Sequence, residues 1–167
     1  LAKLRINTGF IGAVGDDEEG KILLEDFKNV GVDISQIKVK KGAKTGVTLC
    51  LSDKQGKRSI YVSPGANNLL SEQDIDLEYI NRSRILHLSS FVHDQQFDIQ
   101  KHLLGNLAQS VKVSLAPGAI YATKELQKLA PLLKRGHVLV INQSELRQLT
   151  GENFDIGARK CLELGCH

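Results

Sequence analysis

The sequence has no tryptophan and no methionine, and only three prolines, three cysteines, three tyrosines and five phenylalanines. So few aromatics leave little to stack on nucleobases. The net charge of +3 is spread along the chain with no basic run, so no nucleic-acid partner is expected. Interspersed charge of this kind reads as a solvated surface. Cys50, Cys161 and Cys166 are too few and too irregular for a disulfide framework, and none belongs to a CxxC pair. A reducing, cytoplasmic setting is the simplest expectation. The histidines at 87, 93, 102, 137 and 167 show no metal-ligand spacing. No apolar run approaches a membrane span and no signal peptide is evident, so no membrane association is expected. Lacking methionine, Leu1 is not expected to be a translation start, and the chain reads as an internal piece of a longer protein.

What is present is the balance of an ordinary globular chain. Of 167 residues, 41% are hydrophobic and 25% charged, which suits one domain or a large part of one. The segment Thr8-Gly-Phe-Ile-Gly-Ala-Val-Gly15 reads as a short apolar strand with glycines, and Asp16-Asp-Glu-Glu19 suits the cap and first turn of a helix. Ile22, Leu23, Phe27 and Val30 then keep helical spacing up to Gly31, a fitting stop. The period changes at Thr45–Ser52 and again at Arg58–Ser63. Both alternate, with the turn signal Asp53-Lys-Gln-Gly56 between them, and together they predict an antiparallel hairpin. Pro64–Asn68 breaks the pattern, and Ser71-Glu-Gln-Asp74 resembles a capping box.

From there the order is regular. Strands are expected at Ile85–Ser89, Val111–Leu115 and His137–Ile141, with helices over 94–109, 123–134 and 154–164. The strand starts at 85, 111 and 137 recur every 26 residues, as successive strand–helix units of a parallel sheet do. A further unit would place a strand near 163, where the chain stops.

In a parallel sheet, ligands sit beyond the carboxyl ends of the strands. Three loops qualify: Ser89-Ser90-Phe91, Ala116-Pro117-Gly118 and Asn142-Gln143-Ser144-Glu145. Asn142 follows an apolar strand and Glu145 falls one helical turn later. The pair is therefore placed to face a hydrated Mg²⁺ or phosphate oxygens, since Mg²⁺ takes oxygen ligands and keeps water. The same residues also read as a plain helix cap with a first-turn acid. Gly9, Gly12 and Gly15 fit GxGxxG poorly and read as glycines permitting a bend and close packing; no Walker A motif occurs. Cys161 and Cys166 read as core filler. The hairpin reads either as a surface ribbon or as a lid, because two strands standing off a sheet need another surface for their apolar face.

Taken together these segments resemble the ribokinase-like PfkB family of carbohydrate kinases. The stretch Gly9-Phe-Ile-Gly12-Ala-Val-Gly15-Asp16-Asp-Glu-Glu-Gly20 looks like the family's GxxGxDxxG element, and Gly31-Val32-Asp33 like its GVD. Thr45-Gly46, Gly56-Lys-Arg58 and Gly65-Ala66-Asn67 match the lid strands and their exit. Asn142-Gln-Ser-Glu145 with Leu149-Thr150-Gly151 matches NxxE and its trailing LTG. The resemblance implies an α/β fold: a Rossmann-like parallel sheet flanked by helices, with a small β lid at about 45–63, the whole chain being part of one kinase domain. It implies ATP and Mg²⁺ as cofactors and transfer of the γ-phosphate of ATP to a hydroxyl of a sugar or nucleoside. Asn142 and Glu145 would order metal and phosphate, and Ser89, Ser90 and Asn67 would meet the substrate. A homodimer paired through the lids is a further implication.

The family's sugar-holding glycine-rich element would lie before Leu1. Its GAGD element, whose Asp is the base on the substrate hydroxyl, would lie beyond His167. No catalytic residue is therefore expected within the chain, which alone should not be an active kinase. Ala116-Pro117-Gly118 stands where many members carry an Asp, and no Arg lies between Arg84 and Arg135, which disfavours an acid-sugar substrate. The alternatives are a non-catalytic nucleotide- or sugar-binding protein on the same fold and a nicotinamide-dependent oxidoreductase. The latter would need the GxGxxG that is missing.

Overall fold

A computed structural model describes residues 1–166, which divide into two units between Ile75 and Asp76. In the first, strand β1 (Gly9–Gly15) leads into helix α1 (Glu18–Asn29) and returns as β2 (Asp33–Lys40), parallel to β1. The acidic run works as its composition suggests. Asp17 is the N-cap of α1, its carboxylate accepting from the Gly20 N–H at 3.1 Å, and Glu18 and Glu19 occupy the first turn. The sequence reading assigned no element to 33–40. The spacing of Ile34, Ile37 and Val39 is not a strict alternation, and the pairing itself is irregular between Gly9 and Ile11.

The hairpin forms as expected, from β3 (Val47–Ser52) and β4 (Arg58–Ser63), paired Val47 to Ser63 through Ser52 to Arg58. Asp53 builds the turn, its carboxylate accepting from the Gln55 and Lys57 N–H groups at 2.9 and 2.8 Å. Every residue of both strands is exposed, including Val47, Leu49, Leu51, Ile60, Tyr61 and Val62. The chain then makes a 3-10 turn over Gly65–Leu69 and a second over Glu72–Asp74. The second carries the expected capping box: Asp74 Oδ2 accepts from the Ser71 N–H and hydroxyl at 2.8 Å each. Lys40 Nζ adds an ion pair to the same oxygen at 2.6 Å. Ala13, Val14, Ile37, Ala66 and Leu70 form the small core of this unit.

The second unit holds α2 (Leu77–Asn81), β5 (Ile85–Ser89), α3 (Asp94–Asn106), β6 (Lys112–Ala116), α4 (Gly118–Ala122), α5 (Leu126–Arg135), β7 (Gly136–Leu139), α6 (Gln143–Thr150) and α7 (Phe154–Glu163). β5, β6 and β7 form one parallel sheet in chain order, so the 26-residue modules lie side by side in one direction. Several boundaries differ from expectation by one to three residues. Helix α3 ends at Asn106, where Asn106 Nδ2 donates to the His102 carbonyl. The stretch before α5 is a separate short helix, α4, begun by Pro117. Strand β7 spans Gly136–Leu139, not 137–141, though the Val140 N–H still reaches the Leu115 carbonyl at 2.9 Å. Val111, Val113, Leu115, Leu129, Leu132, Leu133 and Leu146 are nearly or wholly inaccessible. Each such side chain contributes roughly 1.5–3 kcal/mol by leaving water. Cys161 and Cys166 belong to this core, and burial, then the neighbouring Cys166, pushes the Cys161 thiol up. They close α7 as the apolar contact of a Schellman stop, with the Gly165 N–H on the Leu162 carbonyl and the Cys166 N–H on the Cys161 carbonyl.

Candidate active site

Because β5, β6 and β7 are parallel, the loops after Ser89, Ala116 and Leu139 all leave the same edge of one sheet. Asn142 and Glu145 stand at the start of α6 and hold each other. Asn142 Oδ1 accepts from the Glu145 N–H at 2.9 Å, and Glu145 Oε2 accepts from the Asn142 N–H at 3.2 Å. Asn142 is thus the cap that the plain-cap reading expected, and Glu145 completes it as a capping box. It does not exhaust the pair, because Glu145 Oε1 takes no part in the box and Asn142 Oδ1, on an exposed residue, keeps a second lone pair. The first helical bond runs from the Leu146 N–H to the Asn142 carbonyl, so the Gln143 and Ser144 N–H groups precede the ladder at the positive end of the helix. An anion is welcome there, while the Glu145 carboxylate offers a hard oxygen to a cation. A phosphate carrying its metal satisfies both. The trailing Leu149-Thr150-Gly151 is the stop of the same helix: Gly151 adopts φ 73° and returns its N–H to the Arg147 carbonyl at 2.8 Å.

Ser89 is the exposed last residue of β5, and Ser90 and Phe91 turn the chain toward α3. This arch is held from beneath. Gln100 of α3 donates from Nε2 to the Ser89 carbonyl at 2.8 Å, and Tyr121 of α4 donates its hydroxyl to Gln100 Oε1 at 2.9 Å. The Phe91 backbone N–H reaches the Tyr121 oxygen in turn. Tyr121 is fully inaccessible and Gln100 is 5% exposed. Burial pushes the Tyr121 phenol up to about 12, so it remains a neutral donor. Its ring meets Phe97 edge-on at 4.9 Å. Gly118, in the next loop, has φ 56°, and a Cβ there would lie 3.6 Å from Ser90 Oγ, so the loops after β5 and β6 face each other through Ser90 and Gly118.

In the first unit Gly15 and Gly20 leave room for backbone that passes close to them. A Cβ on Gly15 would lie 2.3 Å from the Ala43 carbonyl, and one on Gly20 would lie 2.4 Å from the Gly15 carbonyl. A Cβ on Gly46 would lie 2.4 Å from Asn67 Nδ2, so Asn67 packs against the foot of the hairpin. Gly65 has φ 52° and its open side presses on the Lys44 carbonyl. Sequence reasoning thus named Asn142, Glu145, Ser89, Ser90 and Asn67 but missed Gln100 and Tyr121. The available signal was Gln100 itself, a polar residue at helical spacing between Phe97 and Leu104 on the apolar stripe.

Among the described residues, no cluster of three or more His, Cys, Asp or Glu is placed to hold a metal, and no helix is long and apolar enough to cross a membrane.

A family model described as pfkB family carbohydrate kinase matches residues 1–163. The chain is 32% identical over 165 residues to an uncharacterized sugar kinase of Archaeoglobus fulgidus, covering 99% of this chain and 66% of that protein. It is 28% identical over 155 residues to an ATP-dependent ribose-1-phosphate kinase of Halopiger xanaduensis, covering 93% of this chain and 50% of the relative. Among solved structures, Arabidopsis thaliana ribokinase complexed with ribose and ATP superposes with a TM-score of 0.78 at 27% identity, covering 99% of this chain and 55% of that one. The chain thus spans between half and two thirds of these relatives.

Proposed function

Since the chain belongs to the pfkB family of carbohydrate kinases, we propose that the protein containing it transfers the γ-phosphate of ATP to a hydroxyl of a small sugar or nucleoside. The observation that carries this reading is the start of α6. An exposed amide, a carboxylate and two leading N–H groups share one turn at the carboxyl edge of a parallel sheet.

The residues present fit a hydrated Mg²⁺ travelling with phosphate. Asn142 and Glu145 offer oxygen donors, since Glu145 Oε1 lies outside the cap and Asn142 Oδ1 keeps a second lone pair, and an ion met by so few protein oxygens keeps its water. When bound, Mg²⁺ neutralises charge that develops on the transferring phosphoryl group. The chain's own residues position: the α6 N-terminus receives phosphate oxygens, and Ser89 and Ser90 present backbone and hydroxyl groups to the acceptor. Asn67, at the end of the ribbon, is the first unit's candidate substrate residue. No catalytic base is assigned within residues 1–166.

The β3–β4 ribbon is read as the lid that membership of the family implies. Its exposed apolar side chains also suit pairing with a second copy, which makes a homodimer part of the proposal. The whole chain is read as one part of a single kinase domain. The exposed Cys50 thiol and the use of ATP suit a cytosolic setting.

The test is a coupled assay of the full-length protein with ATP·Mg²⁺ against ribose, ribose 1-phosphate, fructose and adenosine. Acceptor-dependent ADP release is expected with at least one. Calorimetric binding of ATP or of an acceptor without turnover would instead identify a binding protein.

A further inference from the structure

Two side chains that the sequence reading missed hold the one turn of backbone assigned to the phosphate acceptor. Gln100 fixes the Ser89 carbonyl, Tyr121 receives the Phe91 N–H, and the two join each other by a third hydrogen bond. Only Ser90 lies between the two anchored peptide groups. Its hydroxyl faces Gly118, within van der Waals reach of where a Cβ there would stand.

Packing alone does not call for this arrangement. A leucine and a phenylalanine of similar shape would fill the same space without placing an amide group and a phenol in the interior. Replacing both partners of a buried hydrogen bond by apolar groups is often neutral for stability. What the polar pair adds is direction, because each bond demands a narrow approach angle and the chain of bonds stiffens as a unit. The phenol is also locked laterally by Phe97, and Lys124 lies over both rings, 4.8 Å from the Phe97 centroid and 5.7 Å from that of Tyr121.

We propose that Gln100 and Tyr121 are positioning residues that set the Ser89–Phe91 arch, and with it the Ser90 hydroxyl, against the phosphate-accepting hydroxyl of the substrate. This rests on the kinase reading above and adds to it two residues that never touch substrate. Neither acts on the nucleotide, which is assigned to α6.

The test uses the full-length protein and steady-state kinetics with ATP·Mg²⁺ and the best acceptor among ribose, ribose 1-phosphate, fructose and adenosine. Tyr121→Phe keeps the ring and removes only the hydroxyl. It should raise the Michaelis constant for the acceptor about three- to tenfold, the worth of one ordinary hydrogen bond, with that for ATP within about twofold of wild type. Ser90→Ala should do the same, and the double variant should be no worse than either alone. Amide hydrogen exchange should quicken at residues 89–93 in Tyr121→Phe and stay unchanged in α6. Gln100→Met, which keeps length and loses both bonds, should match Tyr121→Phe. If both Michaelis constants move together, or neither moves, the positioning role is wrong while the kinase reading stands. A wild-type protein that phosphorylates none of the acceptors defeats the kinase reading and takes this role down with it.

Discussion

Asp17 and Thr45 are 28 residues apart and share two hydrogen bonds: Asp17 Oδ1 accepts the Thr45 hydroxyl at 2.5 Å and Oδ2 accepts the Thr45 N–H at 2.9 Å. Thr45 Oγ1 also accepts from the Gly15 N–H at 3.0 Å. One carboxylate therefore caps α1 and ties down the residue from which the hairpin departs. These bonds, the Thr45 hydroxyl foremost, hold the Asp17 carboxyl at about 2 instead of 3.8. A lowered folded value means that the stabilisation is complete above about 3.8 and is lost as pH falls toward 2. Asp17→Asn should melt below wild type at neutral pH. The difference between the two melting temperatures should shrink between pH 4 and pH 2, and a constant difference across that range would contradict the assignment.

Gly15→Ala places a methyl group 2.3 Å from the Ala43 carbonyl and 2.7 Å from the Thr45 N–H, where backbone and not a pliant side chain must give way. The cost should be about 1–3 kcal/mol, read as a lower urea midpoint with an unchanged slope. A neutral result would contradict the close packing of this glycine.

Glu145→Gln separates two duties of one residue. A glutamine oxygen can still accept the Asn142 N–H, so the cap and the melting temperature should persist. Turnover in the full-length protein should fall about ten- to a hundredfold and require more Mg²⁺, because a charge-assisted contact is worth about 1.5–3 kcal/mol. Asn142→Ala should instead cost about 1 kcal/mol of stability as well as activity. Unchanged turnover and metal dependence in Glu145→Gln would remove this residue from the site.

Asp74 is buried enough that desolvation alone would raise its carboxyl. The Lys40 ammonium and the Ser71 N–H and hydroxyl outweigh that and hold it below its ordinary value. Asp74→Ala strands Lys40, which is 22% exposed, and opens the second 3-10 turn. A loss of about 1–3 kcal/mol is expected by chemical denaturation. With the folded value lowered, this contribution too is full above 3.8 and disappears in more acid solution.

The parts of the fold visible in the sequence were those written locally. The three parallel modules appear as a period, and the Ser71–Asp74 capping box appears as a residue pair three apart. Strand β2 escaped because lysines and an irregular pairing blur its alternation. The Asp17–Thr45 tie and the Gln100–Tyr121 relay escaped because their partners are 28 and 21 residues apart, and nothing short-range announces such meetings. Around the candidate site, the sequence pointed to loop and helix-start residues and not to the two side chains beneath the first loop. An exposed loop residue advertises chemistry, whereas an interior glutamine differs from its apolar neighbours only by being out of place.

The ribbon of β3 and β4 buries none of its twelve residues. Its side chains therefore add almost nothing to the free energy that holds the rest of the chain together. Mutation can rewrite this surface with little thermodynamic penalty, so what it touches is free to diverge faster than the scaffold that carries it.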